Sequence, residues 1–334
     1  MASRQAPEIY ELIVRETDYP YLGDTIHLFI GGSAAHGAKL ENKSDFDLLG
    51  VYIPPMEEIV GIRGVDEHWV WSTAGDKVRN QANDIDMNMY SLRKWAKMAI
   101  AGNPSAIEFM FMDNLAPKNA VWDHFVIPNI PVFLSSHAGL HFQKFCEHML
   151  RTLKGEGQGK RGKREDLIAE FGYDTKAAMH LIRVLNEGIE LMKTGKITLP
   201  RPEKEHLIDI RKGKAGSLKD IEDIAQELFI RLEATRLASV LPPVIDLGRV
   251  SDIVTNAQET VWNQTNEVLQ IISKAFSVAT WHIADNNKSN PTPLVDKWDG
   301  WKDKDWVERE MIKIAMELHQ KDKERIKINV KKED

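Results

Sequence analysis

The chain has 334 residues, of which 43% are hydrophobic and 28% charged, with a net charge of −6 and a pI near 6.0. This composition is typical of a soluble globular protein, because no apolar run reaches the roughly 18 residues that span a bilayer and the acidic balance argues against coating of duplex nucleic acid. The single cysteine, Cys146, excludes an internal disulfide framework, and the start lacks the apolar core of a signal peptide, so the expected location is the cytoplasm.

The first candidate site is a strand, a turn and a second strand between Phe29 and Ile53. An apolar strand, Thr25 to Ile30, leads into Gly31-Gly32-Ser33, whose backbone N–H groups at a helix start favour an anion. After a polar loop, Asp45 and Asp47 begin the next strand and share one face. Two close carboxylates repel each other unless a cation lies between them, and Mg²⁺ prefers carboxylates together with phosphate oxygens. The stretch predicts a metal–phosphate site; the alternative is an ordinary turn beside a solvated strand end.

A third carboxylate is predicted on a later strand. From Asp84 to Tyr90 polar and apolar residues alternate strictly. Asp84, Asp86 and Asn88 therefore share one face of that strand, and the apolar residues share the other. This strand is therefore expected to present carboxylates.

The rest of the chain is mainly helical in pattern. Helices are predicted at residues 92–100, 105–112, 175–193 and 218–237 and, beyond a break at Leu241-Pro242-Pro243, at 251–281 and 305–323. In the third of these, Lys176, His180 and Arg183 stand at i, i+4 and i+7, away from the apolar stripe. That face is either a cationic binding surface or an ordinary solvated one. The glycine-rich basic run from Lys154 to Arg164 is likewise either a phosphate grip or a solvated connector.

These motifs together resemble the polymerase-β-like nucleotidyltransferase superfamily. Its signature is G-[GS]-S followed after roughly ten residues by [DE]-h-[DE]-h, and here eleven residues separate Ser33 from Asp45. The finer run S-D-x-D-L-x-G-V-Y-x-P-P, from Ser44 to Pro55, resembles the RNA-repair-associated subgroup. So does F-G-Y-D-x-K-x-x-x-H-x-x-R, from Phe171 to Arg183, and Glu108 fits the same pattern.

The resemblance implies an α+β fold class. A small mixed β-sheet nucleotidyltransferase (palm-like) domain is expected at residues 1–115. An all-helical nucleotide- and substrate-binding domain would follow at 116–245, and a helical C-terminal extension at 246–334.

The resemblance also implies a metal-dependent transfer of an NMP from an NTP, with ATP among the candidates, to a hydroxyl acceptor such as an RNA 3′ end. Two Mg²⁺ ions, or Mn²⁺ as the alternative, would be held by the catalytic residues Asp45, Asp47 and Asp86, with Asp84 as the alternative to Asp86. The candidate nucleotide-binding residues are Gly32, Ser33, His36, Ser44, Lys176, His180 and Arg183. A small-molecule or protein acceptor, and a catalytically silent nucleotide- or RNA-binding module, stay open as other interpretations.

Overall fold

The computed structural model describes residues 13, 15–38, 46–62, 64, 67–73, 85–116, 119–156 and 164–264. Several predictions lie outside the described residues: Ser44, Asp45, Asp84, residues 157–163 of the basic run, and all predicted helix beyond residue 264. The chain divides into two compact units, Met1–Val261 and Trp262–Asp334, and nearly all described residues belong to the first. The division into residues 1–115, 116–245 and 246–334 stays a prediction.

A mixed sheet forms the first part of the described structure. Its four strands are β1 (Thr25–Ile30), β2 (Phe46–Tyr52), β3 (His68–Ser72) and β4 (Ile85–Ser91). They lie in the order β1-β2-β4-β3, with β2 and β4 parallel and the other two pairs antiparallel. The parallel pairing places Asp47 directly beside Asp86, so the two carboxylates lie on the same face of the sheet.

The two faces of this sheet are chemically unlike, because side chains alternate across a strand. The first face packs into a hydrophobic core that includes Leu28, Leu48, Tyr52, Met87 and Met89 from the strands, Tyr19 and Tyr21 from the preceding segment, and the partly buried Trp69 and Trp71 of β3. On the opposite face Asp47, Asp86 and Asn88 are half-buried. The sheet thus buries its apolar side and keeps its carboxylates within reach of a ligand.

The helices follow the sheet and its connections. With both ends described they are α1 (Gly32–Ala35), α2 (Met56–Val60), α3 (Leu92–Ile100), α4 (Pro104–Glu108), α5 (Asn119–Phe125), α6 (Ala138–Leu153), α7 (Glu165–Phe171), α8 (Thr175–Thr194), α9 (Lys204–Arg211) and α10 (Leu218–Leu237). Residues 247–264 are also helical. Short 3₁₀ segments occur at Leu22–Asp24, Phe109–Phe111 and Ile127–Phe133.

Local capping sets the helix limits. The side chain of Asn103 accepts a hydrogen bond of 3.1 Å from the N–H of Ala106 at the start of α4, with proline as the first helical residue. Asp174 caps α8 in the same way, and Gly195, with φ of 72°, ends it. The limits predicted for α8 and α10 are therefore confirmed to within a residue. The helix predicted at 105–112 is shorter, since the chain tightens into a 3₁₀ turn after Glu108.

Helix α8 is the centre of the helical half. It packs against α6, α9 and α10. Its predicted apolar stripe is buried: Ala178, Leu181, Ile182, Leu185, Ile189 and Met192. The expected α+β class, a small mixed sheet followed by helices, is confirmed. Among the helices described, none has both the length and the apolar character needed to cross a membrane.

Candidate functional site

The glycine turn is held directly against the carboxylate strand. The N–H of Gly31 donates a hydrogen bond of 2.9 Å to the backbone carbonyl of Asp47. Gly32 has φ of 64°, in the left-handed region, and a Cβ at that position would collide with the carboxylate of Asp47. Glycine is therefore required here for two independent reasons, its backbone conformation and the close approach of Asp47. The turn predicted as a phosphate cradle abuts a predicted metal ligand.

The carboxylates of β2 and β4 form the acidic part of the site. Asp47 and Asp86 are direct partners in the parallel ladder, and both are half-buried. Adjacent strands lie about 4.8 Å apart, so two carboxylates on one face share a single ligand-sized space. Oxygen ligands so arranged fit a hard divalent cation such as Mg²⁺. Asp45 and Asp84 are outside the described residues, and the metal set of Asp45, Asp47 and Asp86 stays a prediction.

A cleft of about 420 Å³ brings the sheet residues and the helical residues together. Its lining includes every described residue that the sequence predicted for the site except Asp86: Gly32, Ser33, His36, Asp47, Lys176, His180 and Arg183. Phe29, Leu49 and Phe109 provide apolar surface between the two sides. Residues more than a hundred positions apart in sequence thus surround one space.

The side of the cleft that α8 forms is here called the helical wall. Beneath it lies a group of charged and polar side chains, here called the Arg183 cluster: Arg183, Glu108, Glu187, His36 and His180. Nη1 of Arg183 lies 2.6 Å from Oε1 of Glu108 and 2.8 Å from Oε1 of Glu187. The same nitrogen donates to Nε2 of His36 at 2.7 Å, and Nη2 is 2.9 Å from Nδ1 of His180. The cluster joins α1, α4 and α8 through one guanidinium.

Burial decides the protonation of this cluster. Burial, and after it the charge of Arg183, lowers the pKa of His36 to about 4 and that of His180 to about 3. For Glu108, burial acts to raise the pKa, but Arg183 and His36 outweigh it and hold the pKa at about 2. Burial raises the pKa of Glu187 well above its usual value, although Arg183 opposes the rise. At neutral pH both histidines are uncharged and Glu108 balances Arg183, while burial favours the protonated form of Glu187 over that of Glu108.

This arrangement changes the interpretation of two predicted residues. The alternative of a solvated face for Lys176, His180 and Arg183 does not describe Arg183, which is 5% exposed. His36 is 4% exposed, and its contacts are with Arg183 and not confined to its own turn. Lys176 differs from both because it is half-buried at the cleft.

His36, Glu108 and Glu187 also have the composition of a metal site. One ligand atom from each lies within 4.8 Å of the others. Nη1 of Arg183, however, lies 2.6 to 2.8 Å from an atom of each of the three. A guanidinium therefore takes the place of a cation there, and the acidic pair of the sheet is the better metal candidate.

Two residues of the site, Arg211 and Glu187, had no role in the sequence interpretation, and two others had no individual role. Arg164 and Arg211 line the cleft, and Arg164 also pairs with Asp174 at 2.8 Å. Arg164 is the last residue of the basic run, so the composition of that run indicated a binding role, whereas nothing in the sequence indicated one for Arg211. Glu187 stands four residues after Arg183, a spacing that predicts an ion pair on a helix, and Glu108 was noted only as part of the resemblance.

Comparison with known proteins gives three results. The family described as RlaP, RNA repair pathway DNA polymerase beta family, matches residues 8–239, more than half of the chain. An uncharacterized 38.9 kDa protein of the nrdC-mobD intergenic region of Enterobacteria phage T4 is 32% identical over 79 residues, which cover 24% of this chain and 23% of that protein. The crystal structure of a nucleotidyltransferase-like protein from Exiguobacterium sibiricum 255-15 aligns with a TM-score of 0.27 and 13% identity, over 70% of this chain and 74% of the other. The structural likeness is too low to support an argument, and the match to the family carries the comparison.

Proposed function

Because the chain belongs to the RlaP RNA repair pathway DNA polymerase beta family, we propose that it transfers a nucleoside monophosphate from an NTP to the hydroxyl of an RNA 3′ end in a metal-dependent reaction. The family makes it a polymerase-β-like nucleotidyltransferase; the metal, the NTP and the RNA acceptor belong to the proposal. The observation that supports it best is the cleft in which Asp47, beside Asp86, shares one space with the cationic wall of α8.

Asp47 and Asp86 are the proposed metal ligands, and Asp45 is predicted to join them. Bound Mg²⁺ or Mn²⁺ would make the acceptor hydroxyl a better nucleophile and neutralise charge on the phosphates. As the acceptor oxygen attacks the α-phosphorus, the new P–O bond forms and the bond to pyrophosphate breaks. Asp86 would help to remove the hydroxyl proton, a general-base role that its place next to Asp47 allows.

The helical wall would bind the triphosphate. Lys176, Arg164 and Arg211 line the cleft across from the glycine turn, and charged donors form the stronger class of hydrogen bonds to phosphate oxygens. Arg183 is 5% exposed and bonded to Glu108 and Glu187, whereas the other three cations are half-buried at the cleft. We therefore assign phosphate binding to Lys176 and its two arginine neighbours, and assign to Arg183 the positioning of the glycine turn through His36.

A transfer assay tests this proposal. The full chain is incubated with each α-labelled NTP, with Mg²⁺ or Mn²⁺, and with a pool of single-stranded RNAs that carry free 3′ hydroxyls. We expect a labelled RNA band on a denaturing gel, and we expect no such band when a chelator is added. Binding of NTP without labelled product from any acceptor would favour the catalytically silent module, and label in a small molecule or in protein would replace the RNA acceptor.

A cytoplasmic location belongs to the same proposal. The one cysteine, Cys146, is buried as a free thiol, and burial raises the pKa of that thiol. A reduced cysteine of this kind suits the reducing compartment in which NTPs and RNA are found.

A further inference from the structure

A second cavity, beside the cleft, has no place in the proposed NTP site. It has a volume of about 560 Å³ and lies between α3 and α6, where Pro104 also lines it. We call it the lysine groove. Five of its lining residues matter for its chemistry: Lys94, Lys97, Lys144, Phe145 and His148.

The lysine groove is cationic in an acidic protein. The chain has a net charge of −6, yet three lysines converge on this one cavity. In the described part of the chain none of these lysines forms an ion pair, and the acidic residue that lines the groove, Glu67, lies 3.9 Å from the guanidinium of Arg93. Lysines that are not paired with protein carboxylates are available to a polyanion.

An aromatic ring stands among these charges. Phe145 is 37% exposed in the middle of a helix whose neighbouring Phe142 and Cys146 are fully buried. Exposed aromatic rings between spaced cations are the usual means of binding single-stranded nucleic acid, because the rings stack on bases while the cations contact the backbone.

The lysine groove is continuous with the cleft. The ring of Phe145 lies 6.2 Å from the ring of His180, which lines the cleft. Met149, one helical turn beyond Phe145, lines the cleft as well. On the other side, Pro104 lines the groove and Ser105, the next residue, lines the cleft. A strand lying in the groove would have its end directed to the cleft.

We propose that the lysine groove binds the terminal nucleotides of a single-stranded polynucleotide acceptor, whose 3′ end enters the cleft for transfer. The proposal rests on the proposed function. Phosphates of the strand contact Lys97 and Lys144, and a base stacks on Phe145. The described residues that line the groove include no carboxylate pair, and the cleft has its own cations, so acceptor and NTP occupy separate places.

Binding is measured first without NTP or metal. The anisotropy of a labelled single-stranded RNA of mixed sequence is followed with the full chain and with Lys97→Glu/Lys144→Glu. Both lysines are exposed, and we expect the double variant to bind at least about tenfold more weakly. The control, Lys193→Glu/Lys196→Glu, makes the same charge change at exposed positions that line neither cavity, and should bind within about twofold of wild type.

Two further variants guard against a folding defect. Lys97→Gln/Lys144→Gln avoids an acidic side chain at the end of α3; its melting temperature should stay at the wild-type value, and the salt dependence of log Kd should weaken by about 0.7 for each phosphate that a lysine no longer neutralises. Phe145→Ala should bind about tenfold more weakly, and Phe145→Tyr, which keeps the ring, should bind like wild type. Unchanged RNA binding in the lysine and Phe145→Ala variants would overturn the proposal.

The choice of strand is tested with the same assay. Single-stranded DNA of the same sequence should bind through the same lysines, because neither the phosphate contacts nor the stacked base reads the 2′-hydroxyl. Duplex RNA should bind more weakly than the single strand; equal or tighter binding of duplex would contradict the proposal.

Failure of this proposal is distinguishable from failure of the proposed function. If RNA is labelled at the wild-type rate and KM in the lysine variants, the groove is wrong and the transfer reaction stands. If RNA binding depends on the groove but no acceptor is ever labelled, the groove stands and the transfer reaction is wrong. If both hold, the lysine variants should raise the KM for RNA and leave the KM for NTP unchanged.

Discussion

The two walls of the cleft use charge in opposite ways. On the sheet wall, Asp47 and Asp86 sit side by side and half-buried at the surface of two strands. On the helical wall, Arg183 is buried and bonded to Glu108 and Glu187. The sheet wall brings two like charges together on neighbouring strands, whereas the helical wall neutralises its strongest cation internally.

This contrast distinguishes residues suited to catalysis from residues that stabilise the fold. Two carboxylates side by side on one face offer the oxygen ligands that a divalent metal prefers, so the aspartates are suited to binding a metal. A cation enclosed by carboxylates is instead costly to disturb and has little left to offer a substrate. Lys176, His180 and Arg183 were expected to act as one phosphate-binding face. We now separate them, because Lys176 lies at the cleft and Arg183 lies beneath it.

The largest expected effect is on the sheet wall. Asp47→Asn and Asp86→Asn should each reduce NMP transfer on the order of a thousandfold or more, since each removes a charge at the reacting centre. Folding should not suffer, because the amide has the same shape as the carboxylate and both aspartates are only half-buried. The measurements are transfer rate and melting temperature. Asp252→Asn, an exposed aspartate on the helix at 247–264, is the matched control and should keep full activity.

If either variant kept near-normal turnover at the wild-type melting temperature, its assignment as a metal ligand would be wrong. Loss with Asp47→Asn alone would move the third carboxylate from Asp86 to Asp84, the alternative two residues earlier.

A stability effect of about 3 to 5 kcal/mol is expected on the helical wall. Arg183→Met removes the guanidinium and leaves the ionised Glu108 in a buried site with His36 neutral. The free energy of unfolding, measured in urea, should fall by that amount, and activity should fall with it. Glu187→Gln, in contrast, should change stability less, because the amide keeps the shape of the side chain and burial already raises the pKa of Glu187 toward the neutral form. A fully stable Arg183→Met protein with a raised KM for NTP would restore Arg183 to the phosphate-binding set.

Many features of the sheet wall could be predicted from the sequence. Alternation assigns each aspartate to a face of its own strand, and the glycine turn indicates a close approach. The parallel pairing that sets Asp47 beside Asp86 is a tertiary feature. That Gly32 must be glycine because of Asp47 itself is a tertiary contact, which no local pattern shows.

The helical wall could be predicted only in part from the sequence. Helix limits follow from local caps such as Asp174, and the apolar stripe follows from the helical period. Whether a polar face such as that of Arg183 is solvated depends on what packs over it, and Glu108 and His36 come from distant parts of the chain. The lysine groove was missed for the same reason, since Lys97 and Lys144 lie on separate helices.

A smaller effect is expected for Lys176, at the exposed side of the same wall. Lys176→Ala should raise the KM for NTP by a factor that corresponds to about 1 to 3 kcal/mol, because the variant cannot donate a charge-assisted hydrogen bond to phosphate. Its stability and its KM for RNA should stay at the wild-type values, in contrast to Arg183→Met. Calorimetric titration with NTP gives the change in affinity directly. Wild-type affinity would return Lys176 to a role in the scaffold.

The last effect is a pH dependence of stability that His36 contributes, spread over a range of pH. Burial and Arg183 lower the pKa of His36 from 6.5 to about 4, so between these pH values the unfolded chain binds a proton that the folded chain does not. The stabilising contribution is thus complete above pH 6.5 and is lost as the pH falls toward 4, at about 1 kcal/mol for each pH unit. His36→Gln keeps an oxygen that accepts from Arg183 but does not titrate, so its free energy of unfolding in urea should fall less than that of wild type over this range. His36 lowers the pKa of Glu108 and of His180 only where it is itself charged, so above pH 4 these groups titrate alike in both proteins. The control His206→Gln, at an exposed position of α9, should follow the wild-type curve. Parallel curves for wild type and His36→Gln would show that His36 binds its proton equally well folded and unfolded, and the neutral, buried state assigned to it at the centre of the cluster would be wrong.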